Sequence, residues 1–242
     1  MAATLGSPAN GAIIFSDNLS AADGPLAGTV ADVGGAWTAT ASAATPIQIV
    51  SGTAAVKTSG QDDYAAFSSS AATTAGASIA TSLDINVTAA QANGDYFAHL
   101  SSPLATTSAF FQRLFARSTT GGYVLGLVDT SGTGSTITYG TTVLSFNTTY
   151  DVDIVWSFVA GANNDTFALT VNSTPYLTHN WTSVTAEPAT LEAANLRQGS
   201  AGNAPTVNVD NLVVDYAPVP EPGAVGLLLS AMLGLVRLRS RS

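Results

Sequence analysis

The sequence predicts an all-β protein: a two-sheet antiparallel jelly-roll sandwich, with a single hydrophobic helix at its C-terminus. Three observations carry this prediction. Apolar and polar residues alternate with a period of two in run after run. Clusters such as "TTGG", "SGTG" and "AGANND" separate the runs, as hairpin loops require. No stripe with the 3.6-residue helical period occurs before Gly223.

In chain order, the first runs are "AIIF" (12–15), "IQIV" (47–50) and "DYAAF" (63–67). "SIATSLDINVT" (78–88) puts Ile79, Leu83, Ile85 and Val87 on one face and Ser82, Asp84 and Asn86 on the other. "DYFAHL", "AFFQRLFAR", "GYVLGLV" and "STITY" follow. "YDVDIVWSFVA" aligns Val152, Ile154, Trp156 and Phe158, which makes Trp156 a core residue. "DTFALTV" aligns Phe167, Leu169 and Val171. In "PTVNVDNLVVDY" strict alternation groups Val207, Val209 and Val213 against Leu212 and Val214. One short helical turn is expected at Ala89–Gln91, stopped by Asn93-Gly94, and "AEPATLEAAN" reads as loop.

A chain of 242 residues fits one large β domain plus an appendage, and can bury a core without staples. The absence of cysteine excludes disulfides and thiolate metal sites. Before Val219 there are four basic residues (Lys57, Arg113, Arg117, Arg197) against fifteen acidic ones, a balance of −11. Such a body is not a nucleic-acid partner, because phosphates demand clustered Lys and Arg. The start, "MAATLGSPANGAIIF", has neither a charged lead nor an apolar stretch of export-signal length. Residues 1–10 are therefore expected to be a disordered lead-in, with a signal peptide upstream of Met1. The sandwich is assigned to 11–216 and a Pro-rich linker to 217–222. Residues 223–242 form the helix and its basic end.

The last segment, "VPEPGAVGLLLSAMLGLVRLRSRS", differs from everything before it. Gly223–Val236 carries no charge, and at about 1.5 Å per residue it spans roughly 21 Å as a helix. That is short against a hydrocarbon core of about 30 Å, but Arg237, Arg239 and Arg241 can snorkel to the interface and stay cytoplasmic. Pro220-Glu221-Pro222, a short apolar helix and an Arg-rich terminus occur in that order at the chain end. This three-part tail resembles the PEP-CTERM sorting signal. The resemblance covers only the last two dozen residues. It implies export in a Gram-negative bacterium and transient anchoring in the inner membrane. It further implies processing by an exosortase near Pro220, Glu221 and Pro222, and association with the cell surface, exopolysaccharide or biofilm matrix.

The body is similar to concanavalin-like, laminin-G-type sandwiches, through "FSDNLSAADGPLAG", "GGAW", "YFAHL", "FQRLFAR" and "VDNLVVDY". In that class the terminal strands lie together, and carbohydrate-binding relatives hold a structural calcium there. The resemblance thus makes Asp17, Asp23 and Asp210 calcium candidates, since calcium takes Asp, Asn and carbonyl oxygens. The alternative is that they cap turns. Trp37, Tyr123 and Trp181 are candidates to stack on sugar rings, the alternative being core packing.

Catalytic patterns are missing. A glycosidase needs two carboxyl groups at a set separation, and only three Glu are present. Asp151 and Asp153 share a strand face and read as a solvated surface. Two histidines, His99 and His179, lack a third zinc ligand, and no Ser elbow occurs. The expectation is therefore a non-enzymatic structural or adhesive surface protein. A calcium-dependent carbohydrate-binding module is the first alternative and a glycan-acting enzyme the second.

Overall fold

The computed structural model describes residues 11–40, 45–57, 60–103, 109–198 and 204–219. In chain order the strands are β1 (Ala12–Asp17), β2 (Gly24–Pro25), β3 (Thr38–Ala39), β4 (Gln48–Val50), β5 (Thr53–Val56), β6 (Asp62–Ala72), β7 (Ser78–Ala89) and β8 (Asp95–Ser101). They continue with β9 (Phe110–Thr119), β10 (Gly122–Thr130), β11 (Thr138–Tyr139), β12 (Thr149–Ser157), β13 (Thr166–Val171), β14 (Thr174–Asn180), β15 (Thr190–Arg197) and β16 (Thr206–Ala217). One sheet has nine strands in the order β14-β13-β12-β7-β16-β5-β4-β2, with β1 also paired to β16. The other has seven, in the order β11-β10-β9-β8-β15-β6-β3. Adjacent strands run antiparallel, as the alternating sequence demands.

The core lies between the sheets. Ile79, Leu83, Ile85 and Val87 of β7 point inward as expected, together with Val152, Ile154 and Trp156 of β12. Trp156 packs on Phe167 at 4.9 Å and on Phe158 at 5.0 Å. Aromatic packing of this kind adds roughly 0.5–1.5 kcal/mol per pair beyond area burial.

Two extra residues set which side chains face where. In β16 the register shifts between Asp210 and Val213, with Asn211 in the left-handed region at φ 49°. Val207, Val209, Leu212 and Val214 are consequently all buried, and Val213 is not. Strict alternation had grouped Val213 with Val207 and Val209; the bulge reverses that. In β9, Gln112 has φ 49° and makes the same correction. Phe111, Leu114 and Ala116 pack in the core, while Phe110 and Phe115 join a separate cluster on the other side of the sheet.

Other readings change too. The "AEPATLEAAN" stretch is not all loop, because Thr190–Arg197 is a strand paired on both sides, to β6 and β8. β5 and β14 were not read as strands. Ala89 ends β7, and a turn closed by Gly94 N–H donating to the Gln91 carbonyl at 3.1 Å replaces the expected helical turn. No described residue is helical; the C-terminal helix expected at 223–242 lies outside the described residues.

Candidate functional site: an arginine-lined sheet face

The outward face of the seven-stranded sheet is not a plain solvated surface. Tyr96 of β8, Phe110 and Phe115 of β9 and Val128 of β10 form a buried apolar cluster there, with Tyr139 of β11 packed against it. Arginines lie over this floor. The Arg113 guanidinium carbon is 5.1 Å from the Tyr96 ring centre and 5.4 Å from that of Phe115. Arg197 covers Phe110 at 4.7 Å and Tyr96 at 5.7 Å. Arg117 stacks on Tyr139 at 3.7 Å. Three of the four basic residues that precede Val219 are thus gathered on one face.

The bulge at Gln112 makes this grouping possible. It turns Phe110, Arg113, Phe115 and Arg117 outward together, and frees Gln112 to point inward. There its Oε1 accepts from Thr81 Oγ1 of the opposing sheet at 2.8 Å.

The three arginines are held differently. Arg197 donates to Asp62 Oδ2 at 2.9 Å, an ion pair whose side chains are 23% and 5% exposed. Arg113 donates through Nη2 to the Thr130 carbonyl at 2.6 Å, and its Nε finds no partner. Burial pulls the Arg113 pKa below the usual guanidinium range. The carboxylates of Asp129 and Asp95 act on the Arg113 charge and favour it, while burial opposes it. Desolvating a guanidinium is costly, and Arg113 is left with Nε unpartnered among the described residues.

His99 lies in the same layer, 4.4 Å from the Phe110 ring centre and 5.7 Å from that of Tyr96. Its Nδ1 faces the Leu100 carbonyl at 3.1 Å, so Nδ1 carries the proton and Nε2 keeps its lone pair. Nε2 has no hydrogen-bond partner among the described residues. Burial, reinforced by the charges of Arg197 and Arg113, pushes the His99 pKa down to about 3, so the ring is neutral at pH 7. Asn195, the register partner of His99, donates to Ser101 Oγ at 3.0 Å. Burial lifts the Tyr96 hydroxyl to about 12.

The residues singled out from sequence fall elsewhere. Trp37 and Tyr123 are 1% and 0% exposed, and Trp181 is 6% exposed, so none presents a ring to a sugar. Each has an inward reason. Trp37 Nε1 donates to Asp17 Oδ2 at 2.6 Å. Trp181 stacks on Trp156 at 5.9 Å and donates to the Ser183 and Thr185 carbonyls. Tyr123 faces the core beside Phe146.

Pairing of β1 with β16 does bring the first and last described strands together. Asp17, however, spends both oxygens internally, accepting from Trp37 and from the Leu19 N–H at 2.7 Å. Asp23 accepts from the Ser51 N–H, and Asp210 from the Asn211 N–H, both at 2.8 Å. Among the described residues no group of three or more His, Cys, Asp or Glu is placed to hold a metal ion. Asp151 and Asp153 lie on the outward face of the nine-stranded sheet, where Asp153 accepts from Ser82 Oγ at 2.5 Å. His179 is buried, with Nδ1 2.8 Å from Thr138 Oγ1. Pro220, Glu221, Pro222, Arg237, Arg239 and Arg241 lie outside the described residues. Sequence reasoning missed Tyr96, Phe110, Arg113, Phe115, Arg117, Tyr139 and Arg197 as a site. Their sequence signal was that Arg113 and Arg117 share one run with Phe110 and Phe115.

No family model and no curated protein matches the chain. Solved structures do. A mutant of alginate lyase Aly36B in complex with alginate tetrasaccharide is 14% identical with a TM-score of 0.51, covering 83% of this chain and 95% of its own. The binding domain of Paraclostridial Mosquitocidal Protein 1 is 11% identical with a TM-score of 0.51, covering 91% of this chain and 52% of its own. Alginate lyase AlgAT5 from Polysaccharide Lyase family 7 is 13% identical with a TM-score of 0.47, covering 75% of this chain and 94% of its own. The chain is an all-β, antiparallel two-sheet sandwich similar in fold to the alginate lyase Aly36B mutant. That likeness overturns the expectation of a body without enzymatic activity. The expectation rested on a missing glycosidase carboxylate pair, Ser elbow and third zinc ligand. An eliminating lyase needs none of these.

Proposed function

We propose that the protein is an exported surface or matrix protein whose β-sandwich binds an anionic polysaccharide on the arginine-lined face. The observation that carries this reading is Arg113. Its guanidinium rests half-buried on two aromatic rings, with Nε unpartnered among the described residues. A carboxylate on a sugar ring supplies both the charge and the acceptors, and the aromatic floor suits the sugar's apolar face. The fold shared with a lyase solved on alginate tetrasaccharide supports the choice of a uronate chain.

Affinity electrophoresis in gels containing alginate or neutral dextran tests the reading. Alginate should retard the protein and dextran should not. Arg113→Gln should weaken retention by about tenfold or more, since an interfacial charge loses its partner. Equal mobility in the two gels would overturn the proposal. Retention that persists in EGTA separates direct arginine recognition from a calcium bridge through Asp17, Asp23 and Asp210.

The tail belongs to the same proposal. Pro220, Glu221 and Pro222 would be read by an exosortase, the apolar run would lodge transiently in the inner membrane, and Arg237, Arg239 and Arg241 would stop transfer. Glu221→Ala in a host with its exosortase should block processing; unchanged processing refutes the sorting role.

A second reading is eliminative cleavage of the bound chain, with the neutral His99 ring near Arg113 as the base; its Nε2 is buried, so the bound chain would have to displace what covers it before the lone pair could act. In such a step a base takes the proton α to the sugar carboxylate, a ring C=C forms from that C–H pair, and the glycosidic oxygen leaves and is protonated. No oxidant is involved. Ultraviolet absorbance of the unsaturated uronate product, absent with His99→Ala, reports it; a flat trace with intact binding leaves a binding protein alone.

A further inference from the structure

Given an anion at Arg113, as proposed above, we infer that Arg117 on its Tyr139 platform is a second anion subsite, so that the face selects a multiply charged chain over a single acidic sugar. Arg113 and Arg117 both point outward from β9, four residues apart, a distance of roughly 13 Å at about 3.3 Å per residue. One carboxylate cannot bridge them. Their heads also rest on different rings, Arg113 on Tyr96 and Phe115, Arg117 on Tyr139. They are two separate cationic points on one strand.

The second point is built by the backbone. Tyr139 pairs in register with Gly126 of β10. A Cβ on Gly126 would come within 2.6 Å of the Tyr139 ring, so the missing side chain is what lets that ring lie on the sheet. Gly94, at φ +70°, closes the other side. A Cβ there would be 2.6 Å from Arg117 Cβ and 3.0 Å from the Tyr139 hydroxyl. Tyr139 also reaches the Asn93 carbonyl at 3.5 Å. The ring is thus seated between two glycines and tied at its tip, and Arg117 stacks above it at 3.7 Å. Stacking fixes the guanidinium plane but leaves its edge N–H groups free to meet an anion.

Isothermal titration with a hexuronate monosaccharide and the corresponding alginate-derived tetrasaccharide tests this, with a neutral glucose tetrasaccharide as control. The wild type should bind the uronate tetrasaccharide at least about tenfold more tightly than the monosaccharide. Arg117→Gln should erase most of that gain. Arg113→Gln should weaken binding of both uronates. Arg117→Lys, which keeps the charge but not the planar stack, should restore part of the gain; Tyr139→Leu, with a thermal melt to confirm folding, should match Arg117→Gln. A tetrasaccharide affinity untouched by Arg117→Gln, while Arg113→Gln still lowers it, sinks the second subsite and keeps the face as a one-anion site. Absence of uronate binding in the wild type sinks the anion face itself.

Discussion

The two outward faces of this sandwich are made by the same backbone rule and carry opposite chemistry. On the nine-stranded sheet, alternation turns out Ser82, Asp84 and Asn86 of β7, Asp151 and Asp153 of β12, and Asn208 and Asp210 of β16. Asp151, Asp84 and Asp210 stand side by side on three adjacent strands. On the seven-stranded sheet the outward positions are aromatic, and arginine is laid over them. The first face is what a solvated sheet surface looks like. The second buries apolar rings on the side away from the core and rests arginines on them, with Arg113 Nε unpartnered among the described residues. Stability alone gives no reason for such an arrangement, and that contrast points to the seven-stranded sheet for function.

The largest effect should come from treating the arginine face as ordinary surface. Phe110 is 5% exposed, so Phe110→Ala should cost about 3 kcal/mol in urea unfolding, as a core truncation does. Asp151→Ala on the other face should stay within about 0.5 kcal/mol. Similar small losses at both sites would erase the distinction.

A pH series gives the next effect. His99 has a folded pKa of about 3 against an ordinary 6.5, so the unfolded chain binds the extra proton and stability drops as pH falls from 6.5 toward 3. Asp63, an inward residue of β6, has the opposite sign. Burial raises it from 3.8 to about 6, so its contribution is complete below 3.8 and is lost as pH rises through 6. Melting temperatures should show Asp63→Asn gaining on the wild type from about pH 4 to above 6. His99→Gln should gain on it in the other direction. Parallel curves would show that neither group is perturbed.

The smallest effect concerns the carboxylate row. Asp84→Asn removes the middle charge between Asp151 and Asp210 and should stabilise by about 0.5 kcal/mol at low salt, fading at high salt. A loss of stability there would mean that the hydrogen bond Asp84 Oδ2 accepts from Asn211 Nδ2 at 2.8 Å outweighs the repulsion along the row.

Much of the fold was legible because burial on one face forces alternation. β7, β12 and β13 carry it in plain form. β15 was missed because "TLEAANLR" puts small alanines where larger apolar residues would mark a strand, although it pairs with neighbours on both sides. Val213 was misplaced because the bulge at Asn211 adds one residue, and one residue exchanges the faces. The site was less legible still. Arg113 and Arg117 could be seen as neighbours in sequence, but Arg197 joins them only through the register of β15, β8 and β9. Trp37 and Trp181 looked like sugar platforms because nothing local in sequence names the partner of an indole N–H. For Trp37 that partner is Asp17, twenty residues away.

The arrangement around β16 has a consequence for how the molecule assembles in time. This strand is the last described one to be synthesised, yet it lies inside its sheet, between β7 on one side and β1 and β5 on the other. β1 pairs in register with no other described strand, so Ala12 waits for Tyr216 before its ladder can close. The nascent chain must carry an open seam through nearly the whole of its synthesis, with the apolar residues of β1, β5 and β7 on its borders. Such far-apart pairings place folding among the slow β topologies, in the range of milliseconds to seconds. The last described strand acts as a keystone, and a stop in translation before it leaves the two parts of the nine-stranded sheet unpaired with each other.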